Sequence, residues 1–260
     1  MLLKNRVSIV TAASRGIGAG VASVLAREGS NLVIAARSIG RLEELAKNLE
    51  NQYGVSVVPV QADLTIREDI KKIVNTAIQN FGKVDVLVYN TGPPKPGAFL
   101  ELTEEDWDYG VRLLLISAVW ITRDVLPYMI ERKWGRLIYI TSSTLKQPIP
   151  TLTLSNVIRI SLAGLIKTLA YQVGRYNILV NGIMQGYIDT ERVREVAMAR
   201  AQREGRRVEE ILGELEREIP LGRIGKPEEI GELVAFLASE KANYITGSLI
   251  LIDGGRTLCI

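Results

Sequence analysis

The chain of 260 residues contains no histidine and a single cysteine, Cys259. Without histidine there is no Ser-His-Asp triad, no imidazole general base, and almost no route to a zinc enzyme. One cysteine allows neither an internal disulfide nor a thiolate metal cage, so no metal site is expected. Excess charge of one sign is missing too: 32 basic against 29 acidic residues leave +3. Nucleic-acid or anionic-membrane binding needs a clustered basic face. The densest cluster, Arg203, Arg206 and Arg207, is interleaved with Glu204, Glu209 and Glu210 and reads as a solvated helix face. The longest apolar run lies between Arg112 and Arg123, short of the ~20 residues of a membrane span. The N-terminus, Met1-Leu2-Leu3-Lys4-Asn5, leads directly into a strand pattern and carries no signal-peptide features. The expectation is a cytoplasmic protein with neither a nucleic-acid nor a membrane partner.

What is present is an alternation. Apolar, β-branched runs at Val7–Val10, Leu32–Ala35, Val55–Val60, Val84–Tyr89, Leu137–Thr141, Leu179–Ile183 and Leu249–Ile252 are separated by helical patterns. Such runs lack the in–out alternation of a one-sided sheet, so both faces of these strands are expected to be buried. Repeated βαβ units then predict an α/β fold with a parallel sheet and helices on both faces. Helices are expected to begin near Gly16, Arg41, Arg67, Glu104, Leu154, Asp189 and Pro227. Thr103 with Asp106 three residues on resembles a capping box, and Pro227-Glu228-Glu229 is a proline-plus-acid helix start. No linker divides the chain, and residues 1–260 are expected to form one domain. Residues 189–219, charged and helical, interrupt the rhythm. They read equally as a substrate lid at the carboxyl ends of the strands or as a surface helical hairpin.

The first strand–helix junction reads Thr11-Ala12-Ala13-Ser14-Arg15-Gly16-Ile17-Gly18. Glycines there let backbone approach a pyrophosphate, and a helix N-terminus offers free N–H groups. The second strand ends at Ala36-Arg37, with no acid to accept from a ribose 2′-hydroxyl. Arg37 together with Arg15 suits a 2′-phosphate, favouring NADP(H) over NAD(H). The alternative is that Arg37 is an exposed arginine at a strand end.

From these residues onward the chain resembles the short-chain dehydrogenase/reductase family, especially its 3-oxoacyl-carrier-protein reductase type. Thr11–Gly18 is similar to the TGxxxGxG motif, with Ala12 in place of the first glycine. Asp63-Leu64 is similar to the adenine-contacting pair, and Asn90-Thr91-Gly92 to the NAG motif. Gly186-Tyr187-Ile188-Asp189-Thr190 resembles the PGxxxT loop at the nicotinamide, with Gln185 where proline is usual. Pro220–Arg223, Pro227–Glu229, Phe236–Ser239, Ile245–Gly247 and Asp253–Gly255 match the C-terminal signature. The resemblance implies a Rossmann-type domain with seven parallel strands in the order 3-2-1-4-5-6-7. It also implies a homo-oligomer, tetramer or dimer, with the helices from Glu104 and Leu154 at one interface. Its cofactor-binding residues would be Ser14, Arg15, Gly16, Ile17, Gly18, Arg37, Asp63, Leu64, Asn90, Gly92, Arg159, Gly186, Ile188 and Thr190.

Members of the family reduce a carbonyl with a tyrosine, a lysine, a serine and a relay asparagine. Counting by the family's spacing, Ser142 keeps the serine, while Ser155 stands at the tyrosine, Arg159 at the lysine and Leu114 at the asparagine. A serine hydroxyl is a poor acid and shorter by a ring, arginine cannot relay protons, and leucine cannot hold a water. Three readings follow. One is an oxidoreductase acting on a small carbonyl, alcohol or acyl-thioester substrate with altered proton delivery; Tyr187 is a candidate donor there, or simply an apolar wall. Another is a non-catalytic NADP(H)-binding homologue acting as sensor, scaffold or partner subunit. The last is a structural oligomer with a relic site, disfavoured by the retained Arg15, Arg37, Asp63, Asn90 and Thr190.

Overall fold

The computed structural model describes residues 1–259. Seven strands build one sheet: β1 (Val7–Thr11), β2 (Asn31–Ala36), β3 (Val57–Gln61), β4 (Val86–Tyr89), β5 (Gly135–Ile140), β6 (Ile178–Gln185) and β7 (Leu249–Ile252). Their order is 3-2-1-4-5-6-7, and every pairing is parallel. β1, β4 and β5 are buried along their whole length. That is the reason they read as unbroken apolar runs.

The helices are α1 (Gly16–Arg27), α2 (Ile39–Tyr53), α3 (Arg67–Phe81), α4 (Glu104–Val111), α5 (Ser117–Arg132), α6 (Thr153–Ile158), α7 (Ile160–Val173), α8 (Glu191–Glu204), α9 (Val208–Arg217) and α10 (Pro227–Ala238). Two apolar layers separate them from the sheet. Ile9, Val33, Leu87 and Leu137 face one layer with Ile121, Val125 and Ile166. Val10, Ile34, Val88 and Ile138 face the other with Val21, Leu25, Ile230 and Val234. Alternate residues of each strand thus serve opposite faces, as the pleat requires.

The expected helix starts fall within two residues of the observed ones. Thr103 caps α4 through its Oγ1, which accepts from Asp106 N at 3.3 Å, and Asp106 Oδ2 accepts from Thr103 N at 3.0 Å. Two regions differ from the sequence reading. The helix from Glu104 runs to Arg132 through a π-turn at Arg112–Ile116, so its length exceeds the apolar run that suggests it. By length and composition alone, a 29-residue helix with a strongly apolar stretch, it could cross a membrane. In the fold it is a core helix, with Ala118, Ile121, Val125 and Met129 buried against the sheet. The helix from Leu154 is in fact two helices, which meet at Arg159.

Residues 189–219 form a hairpin of α8 and α9 with a small core of its own, Ala197, Ala201 and Ile211 flanked by Val208 and Leu212. Arg200 and Arg206 both bridge to Glu214, which locks the two helices together.

Candidate functional site

The strands end on one edge of the sheet, and the loops that follow β1, β2, β4, β5 and β6 emerge together along it, where folds of this kind bind their ligands. At the β1–α1 turn, Ala12 adopts a left-handed conformation (φ 49°), as does Gly16 (φ 56°). A side chain at Gly18 would meet Ala12 O at 2.3 Å, so only glycine lets α1 start this close to the loop. The helix then opens with no side-chain cap and no acid in its first turn. Its first N–H groups and the positive end of its dipole face the cleft without an internal partner. Thr190 closes this turn from the other side: a Cβ built on Gly16 would lie 3.1 Å from Thr190 Cγ2. Gly186 plays a parallel part, because a Cβ there would meet Asp253 Cβ at 2.5 Å. The loop Gly186–Thr190 can therefore lie flat between β7 and α1. Ile188 is its buried anchor and bridges to Gly225.

Arg15, the last residue before α1, is exposed and ion-paired to Glu191 and, at 3.7 Å, to Glu195 on α8. Arg41 reaches the same Glu191 at 3.4 Å. The hydrogen bond from Arg15 holds the Glu191 carboxyl below its ordinary value. Arg37 is exposed beyond β2. It borders an open pocket of about 260 Å³ with Gln61, Asp63, Asp69 and Lys72. Asp63 is fixed by a turn in which its Oδ1 accepts from Thr65 N at 2.8 Å and from Thr65 Oγ1 at 2.7 Å. Leu64 is buried in the core below.

At the end of β4, Asn90 is clamped by backbone: its N–H donates to Thr11 Oγ1 (2.9 Å), and its C=O accepts from that hydroxyl (2.7 Å). Nothing lies within 4 Å of a Cβ placed on Gly92, so the floor of the cleft is open above it. Ser142 follows β5; its Oγ accepts from Thr144 N at 3.2 Å. Ser155 and Arg159 are buried one helical turn apart. The Arg159 guanidinium donates to Ile140 O at 3.3 Å and to Thr91 Oγ1 at 3.1 Å. Burial pushes its pKa below the ordinary value. Arg159 thus ties the ends of β4 and β5 together, with Ser142 in the loop that follows β5 and Ser155 one turn before Arg159.

Leu114 does not join them. It lies in the π-turn and is wholly buried in the core. The residue that engages this turn is Tyr89, which the sequence reading treats only as the end of a strand. Its hydroxyl donates to Leu113 O at 2.8 Å and lies 2.6 Å from Ser117 Oγ. A π-turn puts carbonyls out of helical register, and the two hydroxyls satisfy them. Burial pushes the Tyr89 hydroxyl well above its ordinary range. The signal in the sequence was a tyrosine inside an apolar strand, whose hydroxyl must find a partner. Tyr187 is half-buried, with the Arg256 guanidinium 4.4 Å from its ring centroid; burial raises its pKa.

Comparison with known proteins agrees with this architecture. The family model for enoyl-(acyl carrier protein) reductase matches residues 11–257. The chain is 33% identical to the 3-oxoacyl-[acyl-carrier-protein] reductase FabG of Thermotoga maritima over 265 residues, covering 99% of this chain and all of that one. The chain belongs to the short-chain dehydrogenase/reductase family of oxidoreductases. It is also 37% identical to oxidoreductase UcpA of Salmonella typhimurium, over 98% of this chain and 96% of that one. Among solved structures, L-sorbose reductase from Gluconobacter frateurii, complexed with NADPH and L-sorbose, superposes with a TM-score of 0.95. The two are 32% identical and cover 99% and 98% of the respective chains.

Proposed function

We propose that the chain is a single NADP(H)-binding domain, residues 1–260, that interconverts a carbonyl and an alcohol in the cleft between Gly92, Ser142 and Arg159. The observation that carries this is the uncapped start of α1, held open by Gly16 and Gly18 and flanked by Arg15 and Thr190. Such a helix start fits a pyrophosphate. Arg37 and Arg15, with no acid at the end of β2, favour a 2′-phosphate, and the NADPH complex of the sorbose reductase supports the same choice. Ser14, Ile17, Asp63, Leu64, Asn90, Gly186 and Ile188 would line the same dinucleotide.

A nicotinamide dinucleotide supplies or takes the hydride when bound. The chain's own part is to hold the substrate oxygen. As hydride reaches the carbonyl carbon, the C=O electron pair moves onto oxygen. Ser142 Oγ and Ser155 Oγ are the donors we assign to that charge, with the Arg159 cation behind them. None of them is a useful acid near neutral pH. Tyr89 is sealed in the core and its hydroxyl is already committed, which leaves water, or Tyr187 with its pKa raised by burial, to deliver the proton.

A non-catalytic cofactor-binding role is the second reading. It is favoured by the burial of Leu114 away from the cleft, where the resemblance expects a relay residue. Fluorescence titration with NADPH and NADH, followed by a carbonyl and alcohol panel, separates the two. Tighter NADPH binding with turnover supports the first reading, and binding without turnover the second. Equal affinity for the two dinucleotides would overturn the assignment of Arg15 and Arg37. We further place the protein in the cytoplasm as a homo-oligomer. Val157, Ile160 and Tyr171 on α6 and α7 are exposed apolar residues that a second copy would cover.

A further inference from the structure

Arg159 is a buried cation with no anion. Only 7% of its surface is exposed. Both of its acceptors are neutral, a peptide carbonyl and a threonine hydroxyl. Among the described residues no carboxylate lies within salt-bridge distance of it, and the charge-bearing group that acts on it is Tyr89, which is itself kept protonated by burial. Arg136, the second buried arginine among the described residues, is treated differently, although its Nε has no partner. Its guanidinium stacks on Trp134, donates to Asn243 Oδ1 at 2.6 Å and lies 3.9 Å from Glu240.

The donors around Arg159 are also in surplus. A guanidinium has five N–H groups, and only two find acceptors in the chain. Ser142 Oγ accepts one bond and has its own O–H to give. Ser155, one turn before Arg159 on the same helix face, has no side-chain hydrogen bond within the described residues. A ribose hydroxyl could absorb one N–H, but a hydroxyl is neutral and leaves the charge unbalanced. The phosphates of a dinucleotide would lie at the other end of the cleft, on α1.

A neutral ketone would use one or two of these donors and leave the cation buried and unpaired, which is costly. A carboxylate accepts in a fork that matches the guanidinium edge and cancels its charge. We propose that Arg159 is a carboxylate-binding site, with Ser142 and Ser155 left for the carbonyl oxygen, and that the substrate is a carbonyl compound bearing an ionised carboxylate beside the reacting carbon, a 2-oxo or 3-oxo acid or the matching hydroxy acid. The position of the reacting carbon rests on the oxidoreductase reading; the carboxylate site itself does not.

Calorimetry with oxamate and its uncharged counterpart oxamide tests the site, on protein with and without NADP⁺. The wild type should bind oxamate about tenfold or more tighter than oxamide. Arg159→Met should abolish that preference, and Arg159→Lys should retain part of it. Ser155→Ala, which keeps the cation, should weaken oxamate only a few-fold and serves if Arg159→Met does not fold. Equal binding of the two probes, no oxamate binding, or a preference that survives Arg159→Met would overturn the site. Turnover of 2-oxobutyrate against 2-butanone tests the substrate class; a ketone reduced as fast as the oxo acid would overturn it. If NADPH fails to bind while oxamate still does, the oxidoreductase reading falls and the carboxylate site stands.

Discussion

Arg159→Met should make the ligand-free protein more stable. Arg159 is charged at neutral pH both folded and unfolded, but the fold disfavours that charge: burial lowers the guanidinium pKa, and no carboxylate offsets it. A cation whose folded pKa is depressed subtracts from stability at every pH below that pKa, so removing it at neutral pH adds stability. The effective desolvation penalty of a buried ion is several kcal/mol. Against it stand the two hydrogen bonds to Ile140 O and Thr91 Oγ1, whose loss costs about 1–1.5 kcal/mol each. Methionine fills most of the vacated volume and can turn its flexible chain against the cleft wall. The balance is a gain of about 1–3 kcal/mol. For a chain of this size that is a rise of roughly 2–6 °C in Tm. Urea and thermal unfolding of both proteins at neutral pH, without ligand, measure it. Saturating oxamate should then raise the Tm of the wild type and leave that of Arg159→Met unchanged, by mass action on the folded state. A loss of 1 kcal/mol or more in ~neutral buffer would mean that the two neutral acceptors satisfy the cation, and the case for an anionic ligand would fail with it.

Gly20→Ala places a Cβ 2.5 Å from Pro227 Cβ and 2.8 Å from the Pro227 carbonyl carbon, where α1 and α10 touch. Overpacking of about 1–3 kcal/mol, less the ~1 kcal/mol that alanine gains in a helix, predicts a net loss read as a lower urea midpoint. NADPH affinity should fall with it, since α1 carries the phosphate turn. Glu191→Gln removes the carboxylate that holds Arg15 and Arg41. NADPH affinity should rise on the order of three-fold at low salt, with NADH unchanged; weaker NADPH binding would show that Glu191 instead orders the two arginines for the phosphate. Glu229 accepts from Arg223 at 2.6 and 2.8 Å and from Lys226 N at 2.7 Å, which pulls its pKa from 4.5 to about 2. A depressed carboxylate adds stability above its unfolded pKa, and that stability disappears as the pH falls from 4.5 towards about 2. Glu229→Gln should cost about 0.5–1 kcal/mol at neutral pH, an exposed pair being screened, and flatten the acid limb of the stability curve; an unchanged limb would assign acid sensitivity elsewhere.

The sheet was legible because a parallel strand buried on both faces must be an apolar run, and seven such runs appear in order. The turn at Gly16–Gly18 was legible because only glycine tolerates the approach of Ala12 O. What the sequence could not show were relations across the fold. Arg15 reads as a free phosphate ligand, yet in the structure it is held by Glu191, 176 positions away. Arg159 reads as a cation at a helix interior; that it lacks an anion depends on every neighbour at once.

Leu114 shows the limit most clearly. Read alone, it is a lost relay position. In the structure the carbonyls of its π-turn are taken by the hydroxyls of Tyr89 and Ser117, so the turn is closed by protein groups. Leu114 and Tyr89 therefore act as one packed unit. Leu114→Asn alone would put an amide into a fully buried apolar position with those acceptors already engaged, at a cost of about 1–3 kcal/mol, with no relay restored. Ser155→Tyr with Arg159→Lys can return a phenol and an ammonium to the cleft but not a water path behind them. If that double variant nonetheless reduced carbonyls faster in single-turnover assays, with the cofactor already bound, the proton would not need a route through the π-turn.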